Sequence, residues 1–196
     1  MLTPCRYASV RLAPLFGVLL GFVACKSVPT TPNDLLDPNT GNTVTVVEEP
    51  LLFARVRGDS QALVHDFVRL VAAETDSAGK YSDFMLLYRW TLTDGGETPP
   101  KSNAGRLLIM ADGQLFELLP LEQIPAELSR RDGLFAPSSR MYTRYAYRID
   151  EEQLRRIVES QSLTVQLPQE SPDTAYALWR DGRPALGQFI RRSIAH

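Results

Sequence analysis

The chain is predicted to fold as a mainly β domain at the border of α+β: an antiparallel sandwich or open barrel with two short helices, at about residues 151–159 and 184–194. Three observations predict it. From Thr43 onward, apolar residues recur in short alternating runs, the period-two pattern of half-buried strands. Asp-Gly pairs at 94–95, 112–113, 132–133 and 181–182 punctuate those runs, and Asp-Gly tolerates the positive φ of tight turns. Two stretches near the C-terminal end carry apolar residues at helical spacing instead.

The first element in order is a leader. Arg6 and Arg11 precede the apolar run Leu12-Ala13-Pro14-Leu15-Phe16-Gly17-Val18-Leu19-Leu20-Gly21-Phe22-Val23-Ala24, no acid interrupts it, and Cys25 follows. A positive start, an apolar stretch too short to span a bilayer and small residues before a cut describe an export signal. Cys25 after Val23-Ala24 resembles the lipobox of bacterial lipoproteins, with Phe22 where leucine is usual. The resemblance covers about residues 12–27. It implies cleavage before Cys25, acyl chains on its thiol and new amine, and membrane attachment without a spanning helix. One chain binds reversibly and two or more anchor stably. Lys26 and Ser27 follow in place of the aspartate that retains such proteins in the inner membrane. In that family this implies the periplasmic face of the outer membrane, the inner membrane being the alternative.

Residues 25–44 are rich in Pro, Thr, Asn and Asp and bury too little apolar surface to offset chain entropy. They are expected to be a flexible tether, leaving residues 45–196 as one globular domain. With 44% apolar residues, the chain can bury a real core. Without Arg6 and Arg11, 19 basic side chains face 23 acidic ones, a net charge of −4. No concentrated basic face is visible, which argues against a nucleic-acid partner. Cys5 would leave with the leader and Cys25 would carry lipid, so no disulfide is expected in the mature domain. Arginine outnumbers lysine 18 to 3, which reads as a genome habit.

The strands follow. Thr43–Glu49 and Leu51–Arg57 are two candidates. In a third, Phe84, Leu86, Tyr88, Trp90 and Leu92 share one face, with Met85, Leu87, Arg89 and Thr91 opposite. Arg106–Met110 and Gln114–Leu119 flank a hairpin turn at Asp112-Gly113, and Met141–Ile149, Leu163–Leu167 and Ala175–Arg180 complete the set. Residues 61–73 fit either a helix face or a strand. The strand paired with 51–57 is preferred, because Gly58-Asp59-Ser60 then turns a hairpin. Asp150 and Gln153 form a capping box before the stripe Leu154, Ile157, Val158. Pro184 suits the first turn of a second helix with Leu186, Phe189, Ile190 and Ile194 on one face.

Motifs of chemistry are sparse. Arg57-Gly58-Asp59 matches an integrin-binding tripeptide but reads more simply as a turn. Ser77-Ala78-Gly79-Lys80 matches the Ser-x-x-Lys of penicillin-binding enzymes, yet it sits in a polar loop and no Lys-Thr-Gly accompanies it. A Ser-His-Asp triad would have to use His65, with Asp66 as a neighbour. Two histidines and no free thiol are too few for zinc, and no cofactor or metal is expected. Two acids for glycan cleavage can always be drawn from 23 carboxylates, although the visible ones fall at turns or on a helix exterior. The most suggestive surface is the strand row Tyr142, Arg144, Arg148, with Arg130, Arg131 and Arg140 nearby in sequence. Two guanidiniums and a phenol can grip phosphate, carboxylate or sugar. The simpler alternative is a solvated row whose arginines pair with local acids.

These readings lead to a lipid-anchored envelope protein that binds an envelope protein or wall polymer without catalysis. The alternatives are a small peptidoglycan- or glycan-acting hydrolase using unidentified carboxylates, and an accessory lipoprotein of a secretion or assembly complex.

Overall fold

The computed structural model describes residues 32–57, 64–93, 95–98, 105–167 and 175–193. The leader, Cys25 and the turn Gly58-Asp59-Ser60 lie outside the described residues. In chain order the elements begin with β1 (Asn33–Leu36), β2 (Thr43–Val46), β3 (Leu51–Arg57), β4 (Val64–Ser77), β5 (Lys80–Thr93) and β6 (Gly96–Thr98). Then come β7 (Leu107–Ala111), β8 (Gln114–Leu118), α1 (Ala126–Arg130), α2 (Asp132–Phe135) and β9 (Thr143–Arg148). The last are α3 (Glu151–Glu159), β10 (Leu163–Gln166), β11 (Ala175–Arg180) and α4 (Arg183–Ser193).

The β-branched and aromatic residues of 64–93 build one long antiparallel hairpin, β4 with β5, in register from Ser77↔Lys80 to His65↔Leu92. Of the stretch 61–73, ambiguous in sequence, the described part from Val64 onward is strand, and β3 pairs with it from Leu51↔Leu70 to Arg57↔Val64. β4 is long enough to carry β2 beside β3 on its outer edge, while β9 and β6 share the far edge of β5. From β3 the sheet runs on through β11, β10, β7 and β8 and curls into a half-barrel. The chain leaving β8 meets β9 at a Pro120↔Tyr147 bridge, where Leu121 N–H donates to the Ala146 carbonyl at 2.8 Å. The mainly β expectation holds, in its open-barrel form.

Both faces of the hairpin are covered. Inside the curl, Leu51, Phe53, Val68, Leu70, Leu87, Ile109 and Val165 are buried with Leu154 and Ile157 of α3 and Leu186 and Phe189 of α4. Leu186 shares one small void with Leu51, Leu70, Ala72 and Met85. Outside, Leu128 of α1 and Phe135 of α2 form a second layer with buried Leu86 and Tyr88. Arg69 ties that layer down, donating from Nη1 to the carbonyls of Phe135 (3.1 Å) and Ala136 (3.0 Å).

The predicted capping box is present: Gln153 N–H donates to Asp150 Oδ1 at 2.8 Å and Asp150 N–H to Gln153 Oε1 at 3.1 Å. α4 starts on Gly182, whose carbonyl accepts from Leu186 N–H at 3.0 Å. A Cβ at Gly182 would lie 2.4 Å from the Glu49 carbonyl oxygen, so backbone packing demands glycine there. Among the described residues, no helix is long and apolar enough to cross a membrane.

Two expectations need correction. The tether does not extend to residue 44, because β1 and β2 occupy much of that span and join the sheet beside β4. Long-range ties order it: Thr45 Oγ1 donates to Asp34 Oδ1 at 2.9 Å, Arg192 reaches Asp34, and Arg130 pairs with Asp37. Local composition cannot register partners 93 and 158 residues away. The Asp132-Gly133 turn is likewise the start of α2.

Ser77-Ala78-Gly79-Lys80 is the two-residue turn of the long hairpin. Ala78 (φ 53°) and Gly79 (φ 80°) both have positive φ, as a type I′ turn requires, and Gly79 N–H donates to Asp76 Oδ1 at 2.7 Å. Asp112 (φ 49°) and Gly113 (φ 79°) turn β7 into β8 in the same way, as predicted. An alanine there is strained where asparagine is not. Ala78→Asn is expected to raise stability by about 0.5–1 kcal/mol, read as a higher urea midpoint at unchanged slope.

Candidate functional site

Alternation on β9 sends Arg144, Ala146 and Arg148 to the outer face, as the sequence suggests, and Tyr142, just before the strand, lies on the same side against Tyr88. α1 and α2 then cover part of that row. Asp132, at the start of α2, accepts from Tyr142 Oη at 2.5 Å, Tyr88 Oη at 2.9 Å and Arg144 Nη1 at 2.9 Å. Arg144 Nη2 also donates to Ser129 Oγ at 2.9 Å. Partial burial pushes the Asp132 carboxyl up, but bonds from Tyr142, Arg144 and Tyr88 outweigh it and hold it below the usual range. Burial, then the Asp132 charge, pushes the Tyr88 phenol well up, and the bond to Asp132 raises Tyr142.

The expected open row is therefore divided. Tyr142 and Arg144 clamp a helix to the sheet, the local-acid alternative for that arginine, whereas Arg148 stays exposed with its guanidinium 5.5 Å from the Phe84 ring centre. Two of the neighbouring arginines do not extend the row either, while Arg140 is exposed and its backbone N–H donates to Glu97 Oε2 at 2.8 Å. Arg130 pairs with Asp37 and Arg131 donates to the Leu36 carbonyl at 2.6 Å.

The strongest concentration of buried polarity is a cluster inside the curl. Arg55, Asp66 and Thr91 stand opposite one another across β3, β4 and β5. Arg55 Nη2 donates to Asp66 Oδ2 at 2.7 Å, Thr91 Oγ1 donates to Asp66 Oδ1 at 2.6 Å, and the Arg55 guanidinium lies 4.5 Å from the Tyr176 ring centre. Asp66 and Tyr176 are wholly inaccessible, and Arg89, two residues from Thr91 on the same face, is 8% exposed. Removing such charges from water costs several kcal/mol per ion, a cost that the Arg55–Asp66 ion pair and the Thr91 bond to Asp66 offset. One sequence signal pointed here: charged and hydroxyl residues occupying the core-facing positions of otherwise apolar strands, as Arg89 and Thr91 do beside Leu87.

Two acids also meet. Glu74 and Asp83 are cross-strand neighbours on β4 and β5. Burial first, then the charges of Glu74 and Glu151, pushes the Asp83 carboxyl up to about 6. Neither acid lines the two hollows found on the helix side. One, of about 320 Å³, lies between the β7–β8 turn and α3; its Asp112 accepts from Gln161 N–H (2.9 Å) and Ser162 N–H (2.7 Å), structural work that lowers its pKa. The other, of about 130 Å³, is a groove between α3 and α4.

The remaining motifs separate. Ser77 and Lys80 face each other across a hairpin turn, not along a helix. His65 and Asp66 are successive strand residues on opposite faces: Asp66 is inside, and His65 stacks on Phe67 with centroids 6.1 Å apart. Phe67 in turn stacks on Trp90 at 5.2 Å. Among the described residues, no three His, Cys, Asp or Glu side chains gather as a metal site. No family model, curated protein or solved structure matches the chain.

Asp66→Ala is expected to cost about 3 kcal/mol or more, because it strands the Arg55 charge inside the curl. Denaturant unfolding at pH 7 reads that loss directly.

The Asp83 carboxyl ionises near 3.8 in the unfolded chain and near 6 when folded, so the unfolded state releases its proton first. Stability therefore falls as pH rises through that window. Asp83→Asn is expected to add about 1–2 kcal/mol at pH 7.5 and little at pH 4, compared by unfolding curves at both values.

Proposed function

We propose that this chain is a lipid-anchored protein of the bacterial cell envelope whose domain is a non-catalytic binding or accessory module for an envelope protein or wall polymer. The observation that carries the reading is the order of the leader: two arginines, an apolar run too short to span a bilayer, small residues and Cys25. Lys26 and Ser27 favour the periplasmic face of the outer membrane as its address. Of the strand row first considered, Arg148 is the exposed member, and a guanidinium over an aromatic ring suits a carboxylate or a sugar acid. Tyr142 and Arg144 serve the reading by fixing the strand that presents it.

Growth with a clickable palmitate is expected to label the wild type and not Cys25→Ala, and the variant is expected to move from the membrane pellet to the soluble fraction. An unlabelled wild type overturns the anchor. For the domain, co-sedimentation with purified peptidoglycan is expected to fall several-fold on Arg148→Ala with unchanged unfolding. Release of soluble glycan fragments in the same tube overturns the non-catalytic reading.

A further inference from the structure

The anchor and the fold together fix which side of the domain meets the lipid. Resting on the lipid-anchor reading above, we propose that the corner formed by β1 and α2, with Leu36, Arg131 and Leu134 at its surface, docks on the phospholipid leaflet that holds Cys25.

The argument starts from length. Seven peptide steps separate Cys25 from Pro32, where the described chain begins. Fully extended, they reach at most about 25 Å. A domain of this size is about 40 Å across. The leash is thus shorter than the body it holds, so the face opposite β1 is kept off the bilayer while the β1 corner stays within reach of it.

Nor can the leash lengthen easily by peeling β1 away. Asp34 is held by Thr45 and Arg192, Asp37 by Arg130, and the Leu36 carbonyl by Arg131. These contacts bind the strand to β2, α4, α1 and the α1–α2 junction.

The corner has the chemistry such a position needs. Leu36 is 65% exposed and Leu134 63% exposed, among the most exposed large apolar residues described. Arg131 joins them: it donates to the Leu36 carbonyl, and its own carbonyl accepts from Leu134 N–H at 2.9 Å. Two leucines beside a guanidinium match the boundary between acyl chains and phosphates, where arginine keeps its head in the polar layer. Two side chains are too few to recruit a free domain. On a short leash the encounter is intramolecular, at an effective concentration in the millimolar range, and a weak contact suffices.

The test uses the mature acylated protein in vesicles of phosphatidylethanolamine and phosphatidylglycerol. The natural sequence has only Cys5 and Cys25, one in the leader and the other acylated, so an introduced cysteine can be labelled alone. Leu36→Cys and Leu134→Cys carry an environment-sensitive dye at the corner. Leu115→Cys and Trp179→Cys carry it at other exposed sites, 54% and 67% accessible in the natural chain. Nitroxide lipids are expected to quench the two corner positions at least threefold more than the other two. Equal quenching at all four positions, with palmitate present on the protein, overturns the docking corner and leaves the anchor standing. Absence of palmitate from the purified protein overturns the anchor and this inference together.

Discussion

The pairing of β4 with β5 is the constraint on which the other contacts depend. Each strand has 14 residues, and their register runs unbroken from the Ala78-Gly79 turn to His65↔Leu92. A strand that long cannot be matched by one neighbour of ordinary length, so β2 and β3 divide one edge and β6 and β9 the other. Strands twist, and a sheet built outward from such a spine curls rather than lying flat. The half-barrel, with α3 and α4 filling its concave side, follows from that geometry.

Register matters more here than in a sheet with one wet face. A slip of one residue would turn Arg69 and His65 inward and push Val68 and Leu70 out. It would also separate Arg55, Asp66 and Thr91, which meet only because they occupy opposed positions on three adjacent strands. A buried ion pair such as this often adds little net stability over an apolar replacement, but a misaligned pairing that leaves either charge alone is costly. Its place inside the curl is consistent with that role.

Most of the strands and both longer helices were legible because their signals are local. Alternation identifies β5 from Phe84 to Leu92, and the Asp150–Gln153 box marks the start of α3 within one residue. What escaped was set by distant partners. β1 is four residues of mixed polarity, held with Asp37 just after it by side chains from β2, α1, the α1–α2 junction and α4, and nothing in Asn-Asp-Leu-Leu announces them. α1 and α2, at five and four residues, are too short to show a period. Their absence from the sequence reading had a direct consequence for the site. Alternation correctly placed Arg144 on the outer face of β9 with Tyr142 beside it, but a period cannot reveal that Asp132 lies over them.

The excess of arginine over lysine takes on a physical meaning once these contacts are seen. From residue 32 onward the chain has no cysteine to staple it, and its outer elements are tied to the sheet largely by side chains. At those junctions stand guanidiniums: Arg69 between β4 and α2, Arg130 between α1 and Asp37, Arg144 bridging Asp132 and Ser129, Arg192 between α4 and β1. Arg183 joins Asp181 and also reaches the Ser160 carbonyl at the end of α3. A planar fork with five donors can hold two acceptors on different elements at once, which an ammonium on a flexible stem does poorly. Arg144 uses that capacity, bonding Asp132 of α2 through Nη1 and Ser129 of α1 through Nη2. The bias first read as a genome habit thus supplies the clamps of a body without cysteines.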